Sequence, residues 1–129
     1  ITHFVASLGT TGTVMGCSRR LKELDPDVRV IAVEPRLNHK LQGLKSLKEA
    51  YVPGIFDKSL VDEKIEIADE DAFEMARSLA KTRGMMLGMS SGAAVFVALE
   101  LARNLSEGVI ALILPDFGER YLSTDLFSA

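Results

Sequence analysis

The segment Ser7-Leu8-Gly9-Thr10-Thr11-Gly12-Thr13 has the chemistry of an anion cradle. Glycines carry no Cβ to keep a ligand away, so backbone N–H groups around Gly9 and Gly12 can close on negatively charged oxygen. Thr10, Thr11 and Thr13 add hydroxyl donors. A helical pattern begins directly afterwards, and its unpaired first amides and positive dipole end favour an anion at the same place. No lysine or arginine takes part. The segment lacks the Gly-Lys-Ser/Thr ending of a P-loop and does not match the Gly-x-Gly-x-x-Gly dinucleotide fingerprint. A tight strand-to-helix turn without a ligand would use the same residues.

Two further segments could meet it. Gly88-Met89-Ser90-Ser91-Gly92-Ala93-Ala94 again stands at the start of a helix. One of its serines is explained as an N-cap. The other enters a buried helix, where a hydroxyl needs a partner or a ligand; capping alone is the plainer reading. Pro115-Asp116-Phe117-Gly118-Glu119-Arg120-Tyr121-Leu122-Ser123-Thr124 follows an apolar run, with Asp116 placed to accept a hydrogen bond and Glu119 with Arg120 as a surface pair. In open parallel sheets ligands bind beyond the carboxyl ends of the strands. All three segments occupy such positions, so they are expected to share one crevice.

The elements that position them alternate between strand and helix, which predicts an α/β fold: an open, mostly parallel sheet with helices on both faces, three layers in all. Phe4–Leu8, Val28–Val33 and Val109–Leu114 are nearly unbroken apolar runs, the pattern of strands buried on both faces. Lys64–Ala68 alternates and predicts a more exposed strand or edge. Val14, Cys17, Leu21 and Leu24 keep helical spacing until Asp25-Pro26-Asp27, and Cys17 falls on the apolar face as core packing. Asp69 is the expected N-cap of a second helix that carries Phe73, Ala76 and Ala80 on one face and stops at Gly84. Ala93–Leu105 is apolar nearly all round and predicts a buried helix. The stretch from Arg36 to Leu60 is poorly periodic, as functional irregular segments often are.

Composition closes several alternatives. The 129 residues fit one domain, with 47% hydrophobic and 26% charged residues and a net charge of −3. No basic tract offers a nucleic-acid surface, and no apolar stretch approaches the roughly 20 residues that span a bilayer. Cys17 is the single cysteine, which rules out an intrachain disulfide and fits a reducing compartment. His3 and His39 have no cysteine or carboxylate cluster at metal-ligand spacing, so no metal site is expected. Asp62, Glu63, Asp69, Glu70 and Asp71 read as a solvated acidic face. The chain opens on Ile1-Thr2-His3 immediately before an apolar run, which leads us to expect a piece of a longer chain.

The three segments, in this order and at these intervals, resemble the C-terminal portion of the cysteine synthase (O-acetylserine sulfhydrylase) family, fold-type II pyridoxal-phosphate enzymes, over essentially all 129 residues. The resemblance implies pyridoxal 5'-phosphate as cofactor, with Gly9, Thr10, Thr11, Gly12 and Thr13 on its phosphate and Ser90 on the pyridine nitrogen. A serine there would not force that nitrogen to stay protonated. Gly43 would let backbone approach the cofactor, and Asp116 would lie beside the ring, where Asp116-Phe117 replaces the family's usual pair of small residues. Residues 118–124 match the family's C-terminal signature. Thr11 and Tyr51-Val52-Pro53-Gly54-Ile55-Phe56-Asp57 resemble the B-type branch, which accepts thiosulfate as well as sulfide, and Lys45 stands where that branch carries a basic residue near the substrate.

The implied reaction is replacement of the 3-substituent of O-acetylserine or O-phosphoserine by sulfide or thiosulfate, giving cysteine or S-sulfocysteine. A cytoplasmic homodimer that binds a serine acetyltransferase is implied with it. The lysine that binds the cofactor's aldehyde belongs to the family's N-terminal portion. Lys40, Lys45 and Lys48 are not in its context, so no catalytic residue is expected here and the chain alone should be inactive. A cystathionine β-synthase-like or serine/threonine dehydratase-like enzyme, or a non-catalytic phosphate-binding domain, is the alternative.

Overall fold

The computed structural model describes residues 1–49 and 51–128. Four strands form one parallel sheet: β1 (His3–Ser7), β2 (Arg29–Pro35), β3 (Glu63–Ile67) and β4 (Ile110–Leu112), in the spatial order β3-β2-β1-β4. Among the described residues three α-helices accompany them: α1 (Gly12–Leu24), α2 (Asp69–Arg83) and α3 (Met89–Asn104). Side chains alternate across the two central strands. Phe4, Ala6, Val30 and Ala32 face α1 with Val14 and Met15, whereas Val5, Ile31 and Val33 face Ala72 and Ala76 of α2 and Met89, Ala93, Ala94 and Val97 of α3. Each central strand thus needs apolar residues on both faces, which is why its sequence does not alternate. The expected three-layer arrangement is the one observed.

The edges account for where the structure departs from expectation. β4 spans only Ile110–Leu112 and is half-buried, while Val109 and Ile113 are exposed; the run Val109–Leu114 was expected to be buried on both faces, but it lies at the end of the sheet. β3 is the other edge, and its alternation is the expected one. Gly84 takes the left-handed conformation and ends α2, as its position predicts. Asp69 does not cap that helix: Ala68 stands at the N-cap, and Asp69 instead accepts from the Lys40 amide at 2.6 Å. α3 starts one turn earlier than the apolar run implied, and its first half is the buried part. Cys17 is half-buried against the α1 side of the core.

The irregular stretch after β2 wraps around the carboxyl edge of the sheet. Leu41 and Leu44 join the core on the α2–α3 side, and Leu47, Phe56 and Leu60 pack on the α1 side. Its anchor is Glu34, a fully buried carboxylate in the middle of that crossing. Glu34 accepts from the Leu47 amide at 2.6 Å and from Ser46 at 3.3 Å, with Lys64 Nζ at 3.4 Å. A buried charge is tolerated when paired in this way. Asp62 is also more than solvated surface: it accepts from the Val30 amide at 2.7 Å and pairs with Lys22 at 2.8 Å.

Candidate functional site

The strand order sets where a ligand can enter. The chain passes from β1 to β2 on one side, and β4 pairs with β1 on the other, so the order reverses at β1 and a crevice opens beyond the carboxyl ends of β1 and β4. α1 follows β1 and therefore begins at that edge. α3 precedes β4, and its 16 residues span about 24 Å, so it also begins there. Two helix beginnings consequently face the same crevice.

The cavity between them has a volume of about 200 Å³. The Gly9–Thr13 loop forms one wall, with Ser7, Gly43, Ser90 and Pro115 completing it. No charged side chain lines it among the described residues. Thr10 and Ser90, 80 positions apart in the chain, therefore border one space. The Ser7 hydroxyl, at the end of β1, donates to the Ser90 carbonyl at 2.9 Å and fastens the two walls together.

Thr11 combines two features that point to a ligand. Its φ of 68° is left-handed, a conformation that a β-branched residue adopts at a cost of about 1–3 kcal/mol. Its hydroxyl is buried, with the residue only 2% exposed, yet Oγ1 has no hydrogen-bond partner among the described residues. The carbonyl of Thr11 accepts from the Met15 amide at 2.9 Å, starting the α1 ladder and leaving the amides before it free for another acceptor. A phosphate dianion would satisfy this donor set; a neutral apolar ligand would not.

Gly9 is required by contact. A Cβ there would lie 2.6 Å from the Gly43 carbonyl oxygen, so the loop and the Gly43 turn pack backbone to backbone. The Lys45 amide donates to the Leu8 carbonyl at 2.8 Å and holds that turn in place. The Lys45 side chain is exposed and is not among the residues lining the cavity. Gly43 has a positive φ of 85°.

At the opposite end, α3 is not capped by a serine. Gly88 is the N-cap, and neither Ser90 nor Ser91 supplies a side-chain cap bond. Ser90 is free to face the cavity, and its hydroxyl lies 3.5 Å from Asp116 Oδ1. Ser91 is fully buried, and its hydroxyl has no partner among the described residues. Asp116 sits behind Ser90 instead of lining the cavity, and its other oxygen accepts from the Tyr121 hydroxyl. Burial, reinforced by that bond, pushes the Tyr121 phenol up to about 12. Glu119 and Arg120 are exposed, and no ion pair joins them among the described residues.

Sequence reasoning placed Ser7 and Pro115 inside the candidate segments without giving either a role, and it missed the Tyr121–Asp116 bond. Ser7 carried a usable signal, a polar residue ending a buried strand directly before the loop. No cluster of histidine, cysteine, aspartate and glutamate able to hold a metal occurs among the described residues, and no helix among them is long and apolar enough to cross a membrane.

Known proteins resemble this chain in sequence and fold. Residues 1–116 match the family model described as pyridoxal-phosphate dependent enzyme. A cysteine synthase of Aquifex aeolicus is 47% identical over 99% of this chain and 41% of its own length. Cysteine synthase B of Escherichia coli is 42% identical over 98% of the chain and 42% of its own length. The crystal structure of a cysteine synthase from Entamoeba histolytica superposes with a TM-score of 0.90 at 38% identity, covering 100% of this chain and 41% of that one. The chain thus spans about two fifths of the length of these relatives.

Proposed function

The chain belongs to the pyridoxal-phosphate dependent enzyme family, and from that premise we propose that it forms the phosphate and ring-nitrogen half of the cofactor site in a cysteine synthase. The reaction is replacement of the acetyl or phosphoryl ester of an activated serine by sulfide or thiosulfate. The observation that carries this reading is a single cavity bordered on one side by Thr11, whose backbone is left-handed, and on the other by Ser90. The cofactor supplies the electron sink for bond changes at the substrate's α and β carbons.

Each residue has a part. The amides and hydroxyls of Gly9–Thr13 bind the phosphate, and Thr11 Oγ1 gains the partner it lacks. Gly43, packed on Gly9, brings a backbone edge against the bound ring. Ser90 orients the ring by a hydrogen bond to its nitrogen, and Asp116 holds Ser90. Lys45, exposed on the anchored turn two residues after Gly43, meets the substrate or the incoming sulfur anion in this reading, in keeping with the B-type branch.

Among the described residues the cavity presents no amine to bind the cofactor's aldehyde, which supports a division in which that lysine comes from another segment of the full-length protein and residues 1–129 alone give no turnover. A cytoplasmic homodimer, with a serine acetyltransferase as partner, completes the reading.

The test is product analysis with the full-length protein. Cysteine formed from O-acetylserine or O-phosphoserine, dependent on sulfide or thiosulfate, supports the proposal. Release of pyruvate or ketobutyrate without sulfur incorporation assigns a dehydratase instead. Retention of pyridoxal phosphate with neither reaction leaves a binding domain and refutes the enzymatic reading.

A further inference from the structure

The turn that carries Gly43 against the phosphate loop is seated on a buried carboxylate at the end of the neighbouring strand. Glu34 lies on the α1 face of β2, in line with Val30 and Ala32. One of its oxygens accepts from the Leu47 amide at 2.6 Å and from the Ser46 hydroxyl at 3.3 Å, and the other faces Lys64 Nζ at 3.4 Å. The Leu8 amide donates to the Val33 carbonyl at 2.8 Å, and the Lys45 amide donates to the Leu8 carbonyl at 2.8 Å. With Glu34 on the Leu47 amide, these bonds close a ring that joins the end of β1, the end of β2 and the turn. Gly9 follows Leu8, and Gly43 stands two residues before Lys45, so the close backbone contact between the two glycines hangs from that ring.

Fold stability alone does not account for a charge here. Removing a carboxylate from water costs free energy that one ion pair at 3.4 Å does not fully return, and buried ion pairs replaced by apolar side chains often leave a fold as stable or more so. What the carboxylate offers is two acceptor oxygens at a fixed point. They serve a turn that has no helix or strand of its own among residues 36–49. The tie beside it, Lys48 to Glu66, is exposed on both partners and holds little. An amide in place of the acid keeps the shape. Both oxygens of Glu34 receive donors, however, so an NH2 group there faces a donor whichever way it turns.

We propose that Glu34 is a positioning residue of the cofactor site: its charge seats the turn from Gly43 to Leu47, and the seated turn holds the Gly43 wall of the cavity against the Gly9–Thr13 loop. This rests on the cavity being the pyridoxal-phosphate site. Leu41 and Leu44, buried on the α2–α3 side, keep the start of the turn in the core without Glu34, so loss of the charge unseats the turn in a protein that is still folded. Binding then draws on the seated fraction alone, and apparent affinity falls with that fraction.

The test is equilibrium dialysis of the full-length apoprotein against pyridoxal phosphate, at a temperature where every variant is folded. Glu34→Gln is expected to raise the dissociation constant about 5- to 10-fold, as a turn seated in roughly one molecule in five to ten requires. Asp62→Asn separates positioning from stability, because Asp62 accepts from the Val30 amide at the other end of the same strand, away from the cavity. It is expected to lower the melting temperature and leave the dissociation constant unchanged. Wild-type affinity in Glu34→Gln overturns the inference, and so does an equal loss in Asp62→Asn; in both cases binding by the wild type leaves the site reading standing. A wild type that does not retain the cofactor overturns both. Should Glu34→Gln not fold, Ser46→Ala, which removes one donor from the carboxylate, decides in its place: a raised dissociation constant supports the inference and wild-type affinity overturns it.

Discussion

Replacing Gly9 by alanine tests how the two backbones that border the cavity fit together. The new methyl would sit 2.6 Å from the Gly43 carbonyl oxygen, where ordinary contact begins at 3.4 Å. One of the two segments must move by most of an ångström. Neither moves freely: the Gly43 turn is pinned by the Lys45–Leu8 backbone bond and by Glu34 on the Leu47 amide, and the loop is continuous with β1 and α1. Gly9 is not in a left-handed conformation, so alanine meets no backbone penalty. Without the clash it would stabilise the fold by about 0.4–1 kcal/mol through the unfolded chain. With it, destabilisation of about 1–3 kcal/mol is expected. Displaced loop amides would also lose charge-assisted bonds to phosphate worth about 1.5–3 kcal/mol, so affinity for pyridoxal phosphate should fall by roughly 10- to 100-fold. Denaturant melts and fluorescence titration with the cofactor, on the full-length protein, read the two effects separately. A Gly9→Ala protein as stable as the parent or more so, with unchanged cofactor affinity, would refute the backbone-to-backbone account.

Three other perturbations probe the supports of the site. Glu34→Ala leaves the part-buried Leu47 amide without its acceptor and should cost about 1–3 kcal/mol in a denaturant melt, whereas Glu34→Gln keeps an acceptor and should lose less. Tyr121 has its folded pKa raised from 10.0 to about 12, so its contribution to stability is intact below pH 10 and disappears as pH rises to about 12; Tyr121→Phe should narrow the stability difference from wild type across that window and leave it constant below. Burial opposes the charge on Asp62, but Lys22 and the Val30 amide outweigh it and hold the carboxyl below its ordinary 3.8. The stabilisation is therefore present above pH 3.8 and fades as pH falls through the lowered value, and urea melts of Asp62→Asn should show a deficit at pH 7 that shrinks in acid.

Much of this molecule is legible from residue order because burial writes itself into hydrophobic pattern. β1 and β2 read as buried strands since both faces carry core, and the glycine- and serine-bearing segments were found where strands end and helices begin. Pattern fails where it depends on neighbours. The run from Val109 to Leu114 looks like β1, yet it occupies an edge, and nothing within a strand states how many strands flank it. Asp69 and one serine of the Ser90–Ser91 pair look like helix caps because their side chains can cap, but Ala68 and Gly88 stand at those N-caps and Asp69 accepts from the Lys40 amide instead. Glu34 sits in an apolar run without announcing that Ser46, Leu47 and Lys64 will converge on it. Gly88 is a small residue in the sequence, and only the fold shows that Asp116 needs the space.

The central claim is that one small molecule bridges the Thr11 end and the Ser90 end of the cavity. A crystal structure of the full-length protein grown with pyridoxal phosphate measures this directly. The account predicts phosphate oxygens against the Gly9–Thr13 loop, with Thr11 Oγ1 bonded to one of them, and the ring nitrogen at Ser90 Oγ. Cofactor bound elsewhere, or bound here with its phosphate at Ser90, would contradict it.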